Sequence, residues 1–354
     1  MESAKSTQDD IQVQFPYGLS WIDRINRAVD KTGIPYPVVY SGIWLIFLSV
    51  LIVLRWQDHS QPIGFIDISD VIMSTTGIFF IALVHYLDQW ASKKLKVFRD
   101  AIHINDEEFE GLYYQLSTLP PRPALIASLV TFGFGALTYL ISPASYGFLN
   151  IGFQSPSSGL QLVNFLFSWF TFGALCYHAY HQLKLGSLAT ANYIHINLFN
   201  LTPIYTFAGL TLRTALGWLV VAYAWALTTP NLFNNLVIIA TILFMQIVAI
   251  LTFVLPLLSA HDKIAEKKAH TLNEISTRLE SVVDEMSRVT DDYDNERLSK
   301  LRDMLTTLSM AEERIKKIPT WPWKPSVVNS LATAILLPNA VWIFQLVVER
   351  FFLK

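Results

Sequence analysis

Five side chains with metal-ligand and acid–base chemistry sit where apolar runs end. His85 and Asp88 close the second such run, His178 and His181 close the fourth, and His261 follows the sixth. Within each of the first two pairs the spacing is three residues, which on a helix puts both side chains on one face. Three such ligands at one depth can hold a Zn²⁺ with an open position that activates water, the chemistry of a membrane-embedded metal-dependent hydrolase. The candidate metal ligands are therefore His85, Asp88, His178, His181 and His261, with zinc the implied ion. The plainer reading is of polar helix ends satisfied by water or backbone carbonyls, and the spacing lacks the specificity of an HExxH helix. No residue is singled out as catalytic or as binding an organic cofactor.

Other constellations lead to packing rather than chemistry. Nucleophile elbows and Walker loops are missing. Gly133-Phe134-Gly135 lies inside an apolar run, where close helix approach explains it better than a nucleotide loop. Ser74, Thr75, Thr76 and Gly77 form the densest polar group of the second run but no recognisable filter. Glu107, Glu108 and Glu110 follow Asp106, read as the cap of a helix over 107–116, and suit its positive N-terminus. No run carries Asp, Glu, Lys or Arg at its centre, which counts against an ion-coupled transporter.

The elements that hold these residues follow from composition. With 52% hydrophobic and 15% charged residues in 354, the chain departs from soluble domains, in which about a quarter of residues are charged. Apolar runs near 38–54, 71–89, 123–141, 159–182, 214–228, 236–258 and 325–348 approach the roughly twenty residues that a ~30 Å hydrocarbon core requires. The last contains Pro338 and Asn339, so it reads either as one kinked span or as a re-entrant pair. Placing the N-terminus inside puts 23 of the 26 Lys and Arg residues on the cytoplasmic side, leaving only Arg55, Arg350 and Lys354 outside. That is the positive-inside signal for seven spans, N-in and C-out. No cleavable signal is read in the first fifteen residues, so the first span is expected to direct insertion. Before it, Ser20 to Lys31 predicts an amphipathic helix, capped by Ser20 and Asp23 and ended by Gly33. Its apolar face suits either the bilayer surface or the protein's own loops.

The one long polar stretch is 259–324. Leu272, Ile275, Leu279, Val282, Met286 and Val289 step by threes and fours, and so do Leu298, Leu301, Leu305, Leu308, Ala311 and Ile315 after a polar break at 291–295. This is the seam of a coiled-coil helical hairpin. Thirteen acidic residues stand against twelve basic ones between Asp262 and Lys324, and the whole chain carries −2, so no nucleic-acid partner is expected. Trp321 and Trp323 are expected at the inner membrane interface.

Two short blocks resemble each other. Ile102-His103-Ile104-Asn105 follows the second span, and Ile194-His195-Ile196-Asn197 follows the fourth. They suit either a duplicated hairpin or chance. Seven spans with rim histidines also invite comparison with the adiponectin-receptor and alkaline-ceramidase superfamily. There the final span supplies an HxxxH pair; the last segment here has no histidine, and the family is not carried over.

The expected fold is thus all-α, a polytopic membrane bundle with a cytoplasmic coiled-coil hairpin. Its organisation runs 1–37 cytoplasmic segment, 38–258 six-span bundle, 259–324 hairpin and 325–354 last span with a short tail. The function read from this is non-enzymatic: a channel-like or sensor and scaffold unit in the cell (inner) membrane. Its partners are the lipid bilayer and, through 262–317, a second copy or another protein. The metal-dependent hydrolase is the alternative.

Overall fold

The structure, a computed structural model, describes residues 16–98, 105–141, 151–192, 197–228, 236–292 and 295–352. Residues 1–15, most of both IHIN blocks, residues 142–150 and 229–235, and the break residues 293–294 lie outside that description. Among the described residues the regular structure is entirely helical. In chain order come α1 (Trp21–Lys31), α2 (Tyr36–Gln57), α3 (Ile68–Phe98), α4 (Asp106–Ser117), α5 (Pro121–Ile141) and α6 (Pro156–Asn192). These are followed by α7 (Thr202–Thr228), α8 (Leu236–Val254), α9 (Leu258–Asp292), α10 (Asn295–Lys316) and α11 (Pro325–Phe352).

Seven of the described helical stretches are long and apolar enough to cross a membrane, and each overlaps one of the seven apolar runs of the sequence; the fifth, Ile204–Leu227, begins ahead of the expected run and takes in Arg213. Seven such helices are compatible with a multi-pass membrane protein. It divides into two compact units, one made of Met1–Arg99, Ile104–Leu185 and Val220–Ile242, the other of Asp100–His103, Gly186–Leu219 and Leu243–Lys354.

In the first unit α1 starts on a full capping box: Ser20 Oγ accepts from the Asp23 amide, and the Asp23 side chain accepts from the Ser20 amide. Gly33, at φ 70°, ends the turn that follows. Of the two expected uses of this helix, packing on the protein is the one observed. Ile22 and Val29 are buried, and Trp21 lies 4.9 Å from the Phe170 ring. The cap of α4 is Asn105, not Asp106: Asn105 Oδ1 accepts from the Glu108 amide at 2.7 Å, and Glu108 reaches back to the Asn105 amide. Asn matches Asp as a cap, and the glutamate three residues on completes the box only from position 105.

The small residues of the spans serve close approach. Gly173 of α6 lies directly on the Ala127 carbonyl of α5, leaving no room for a side chain, and Gly135 of α5 lies under the Trp169 ring. Gly77 of α3 faces Phe167 and Ser168 of α6. Polar groups inside this layer bond locally or across helices, as where Asn164 donates to the Met73 carbonyl at 2.8 Å and Trp44 donates to Ser74 Oγ at 3.1 Å. At the start of α3, Arg55 and Asp70 form a buried ion pair at 2.6 Å. Nearby, Asp58 accepts from the Ser157 and Ser60 amides. Partial burial works against its charge, but those serines prevail and hold its carboxyl well below the usual carboxylate range.

In the second unit α8 passes into α9 through a single 3₁₀ turn, Leu255–Leu257, at Pro256. The α9 and α10 arms pair over Val282 and Leu301, with Met286, Leu298, Leu305 and Leu308 packed around them. Ile275 and Ile315 of the expected seam are also buried, while the side chain of Val289 lies outside the description. Lys268 closes the far end, donating to the carbonyls of Lys316 at 2.8 Å and Ile318 at 2.7 Å. Segment 325–352 is one continuous helix through Pro338, so it is not a re-entrant pair. Asn339 exchanges side-chain hydrogen bonds with Gln246 of α8 and also donates to the Ile335 carbonyl, four residues back, at 2.9 Å.

Candidate functional site

A polar cavity of about 440 Å³ opens in the first unit, where α1, α3 and α4 come together. Helix α1 contributes Asp23, Asn26, Arg27 and Asp30, a strip set three and four residues apart. Helix α3 contributes His85, Asp88, Gln89, Ser92 and Lys93, where its apolar sequence gives way to lysines. Tyr113, Ser117 and Thr118 of the α4 end complete the lining.

Each histidine of the rim has its own set of partners. His178 Nε2 lies 2.7 Å from Asp88 Oδ1, with His178 almost wholly buried and Asp88 nearly so. The carboxylate accepts the Nε2 proton, which leaves His178 Nδ1 buried and unpartnered. His85 Nε2 lies 3.0 Å from Asp30 Oδ1 and 3.0 Å from Gln89 Nε2. On its other side His85 Nδ1 is 3.2 Å from the Tyr40 hydroxyl, which donates to Asn26 Oδ1 at 2.9 Å; Nδ1 is thereby cast as the donor to Tyr40. Tyr36 stacks on the same imidazole at 4.5 Å. His181 donates from Nε2 to the Gln115 carbonyl at 3.2 Å, and the Tyr17 hydroxyl stands 3.3 Å away.

Tyr17 clasps the α4 end from the other side. Its hydroxyl donates to the Thr118 carbonyl at 3.1 Å, and Tyr114 donates to the Tyr17 carbonyl at 2.7 Å. Burial pushes the Tyr17 phenol above its ordinary value, so it stays a donor at any ordinary pH.

The structure therefore brings Asp88 and His178 together across α3 and α6, while His85 and His181 bond elsewhere. His261 belongs to the second unit. There its Nδ1 lies 3.2 Å from the Thr320 carbonyl, and its ring stacks 4.0 Å from Trp321. Trp323 stacks on Trp321 at 4.4 Å and on Phe253 at 5.3 Å, so both tryptophans join a four-ring stack with His261 and Phe253. Among the described residues no three His, Cys, Asp or Glu side chains converge as a metal ion would require.

The residues missed in the sequence are those of α1. Asp23 Oδ2 accepts from the Ser20 amide at 3.0 Å, the Ser20 hydroxyl at 2.8 Å and the Leu119 amide at 3.0 Å, tying α1 to the start of α5. Its position three residues after a capping serine signals the first of these roles; nothing local signals the bond to residue 119. Asn26 and Asp30 recur on that face at helical spacing, and this was the available sign that α1 faces α3 with polar groups as well as apolar ones.

No protein-family model, curated protein or solved structure matches the chain.

Proposed function

We propose that this multi-pass membrane protein works without catalysing a reaction, as a channel-like or sensor and scaffold unit. In this reading the N-terminus and the α9–α10 hairpin lie in the cytoplasm, the C-terminus lies outside, and residues 262–317 act as a coiled coil that contacts a second copy or another protein. The basic-residue distribution supports the orientation. The observation that carries the functional reading is the hairpin itself. Its arms satisfy each other over Val282 and Leu301, yet Val283, Met304 and Met310 remain more than half exposed on its outside. Apolar side chains on a water-exposed element are the natural anchors of a further helix contact. The single 3₁₀ turn between α8 and α9 offers a short, stiff path by which a shift of the sixth span reaches the first arm.

Mass measurement of the full-length protein in detergent tests this. The wild type is expected to be oligomeric or to retain a partner, and the triple variant Val283→Glu, Met304→Glu, Met310→Glu is expected to lose that state while eluting as a folded particle. An unchanged mass and partner set would overturn the hairpin assignment. Ion flux into liposomes separates a channel from a scaffold. Metal analysis of the same preparation addresses catalysis: stoichiometric zinc that disappears in His85→Ala or His178→Ala would sink the non-enzyme reading in favour of a hydrolase.

A further inference from the structure

Two residues that line the cavity between α1, α3 and α4 each carry a buried hydrogen-bonding atom that the protein itself leaves unused. Asp23 is 3% exposed; its Oδ2 takes three donors, while Oδ1 is buried with none. Asn26 is 6% exposed, and although its Oδ1 accepts from Tyr40, its Nδ2 is buried with no acceptor. A buried carboxylate oxygen or amide left unpaired costs on the order of 1–3 kcal/mol, so two on neighbouring residues of one cavity wall call for a partner there.

The two unused atoms ask for opposite things. Asp23 Oδ1 needs a donor, and Asp88 adds a second carboxyl group to the same lining. Thr118 and Ser117 give their hydroxyl protons to the carbonyls of Tyr114 and Tyr113, which leaves oxygen lone pairs beside those carboxylates. Asn26 Nδ2 needs an acceptor, and the exposed cations Arg27 and Lys93 stand on the same lining. The cavity thus offers acceptors with a net negative charge, and donors with a positive one. Its volume of about 440 Å³ falls in the range of small-molecule sites.

We propose that this cavity binds a primary ammonium carried close to an anionic group, with the ammonium on Asp23 and Asp88 and the anion on Asn26, Arg27 and Lys93. An ammonium supplies three N–H donors, whereas a quaternary amine supplies none, so ethanolamine phosphate fits and choline phosphate does not. That chemistry comes either from the headgroup of phosphatidylethanolamine or from a water-soluble zwitterion. The assignment stands whether or not the α9–α10 hairpin self-associates.

Two measurements on the full-length protein in detergent test it. Calorimetric titration compares phosphoethanolamine with phosphocholine. Native mass spectrometry, after incubation with equal amounts of phosphatidylethanolamine and phosphatidylcholine, compares lipids retained. The expected result is a preference for the ethanolamine form of at least tenfold, with affinity for that form falling at least tenfold in the double variant Arg27→Gln, Lys93→Gln. Seen with the soluble probe, it assigns a free zwitterion; seen only with the lipid, it assigns the headgroup. Arg27 and Lys93 are exposed and hold no other element in place, so this variant keeps the fold. Asp23→Asn, which retains an oxygen for the cap, is expected to weaken the same preference where it folds. Equal binding of ethanolamine and choline forms, binding of neither, or affinity for the ethanolamine form indifferent to Arg27→Gln, Lys93→Gln would overturn the proposal.

Discussion

The rim of the first unit and the α9–α10 hairpin of the second are both helix contacts, held by different physics. At the rim single atoms decide. One carboxylate oxygen of Asp23 ties α1 to residue 119, and one imidazole proton of His178 ties α6 to Asp88 of α3. The hairpin rests on a stripe of interchangeable aliphatic side chains. Its ion pairs, Glu296–Lys300, Glu312–Lys316 and Glu313–Lys317, lie mostly in water. Buried polar bonds are strong where made and costly where broken, while an aliphatic seam loses stability in proportion to the area removed. Substitutions of the first kind should therefore be severe and specific, and those of the second graded.

The largest effect is expected at Gly173. Any Cβ there meets the Ala127 carbonyl, a backbone atom that cannot yield without parting α5 from α6. Gly173→Val should abolish monodisperse protein in detergent, while Gly133→Val, which meets open space, should leave it intact. Equal yields from both would mean that this helix pair is looser than the contact implies.

Next comes the buried pair. Removing one partner of such a pair costs about 3–5 kcal/mol, because the other is left desolvated. Asp88→Ala is expected to lose most of that stability, read as a fall in the thermal midpoint, with Asp88→Asn recovering more than half, since an amide oxygen still accepts from His178 Nε2. A small loss in Asp88→Ala would show that water reaches the imidazole and that the rim is wetter than its burial suggests.

This contrast also explains what could be read in advance. The spans and the hairpin seam are periodic, and periodicity survives in a single sequence: 3.6-residue spacing places Leu298, Leu301, Leu305 and Leu308 on one face without knowledge of the partner. The rim is not periodic. That His178 meets Asp88 while His181 turns to the Gln115 carbonyl depends on how α3, α4 and α6 cross, which no local pattern encodes. Equal spacing of His85–Asp88 and His178–His181 suggested two paired ligand sets, and the crossing of the helices distributed them otherwise. The cap of α4 was missed by one position because Asn105 and Asp106 are both good caps, and only the reach of Glu108 separates them.

At the hairpin the effects should be smaller and local. Leu301→Ala removes one side chain of a two-helix layer that water flanks on both sides, so about 2 kcal/mol is expected, the low end for a buried leucine. Hydrogen exchange should report it as loss of amide protection along α9 and α10 together, because each arm buries its stripe on the other. Protection lost in α10 alone would mean that α9 is held as a continuation of α8, and not by pairing.

The smallest effect separates the seam from its charged margins. Lys300 donates to Glu296 at 2.8 Å, one turn away, with both side chains more than two-thirds exposed. Holding two long side chains together in water recovers about 0.3–0.5 kcal/mol, and the glutamate here precedes the lysine, the favourable order along a helix. Lys300→Ala should therefore change the exchange protection of the hairpin barely measurably at low salt and not at all at high salt. Arg297, which crosses from α10 to Glu285 of α9, is the sharper probe, since its ion pair links the two arms. Arg297→Ala exceeding Leu301→Ala would reverse the ranking and make charge, not the aliphatic stripe, the determinant of how the arms pair.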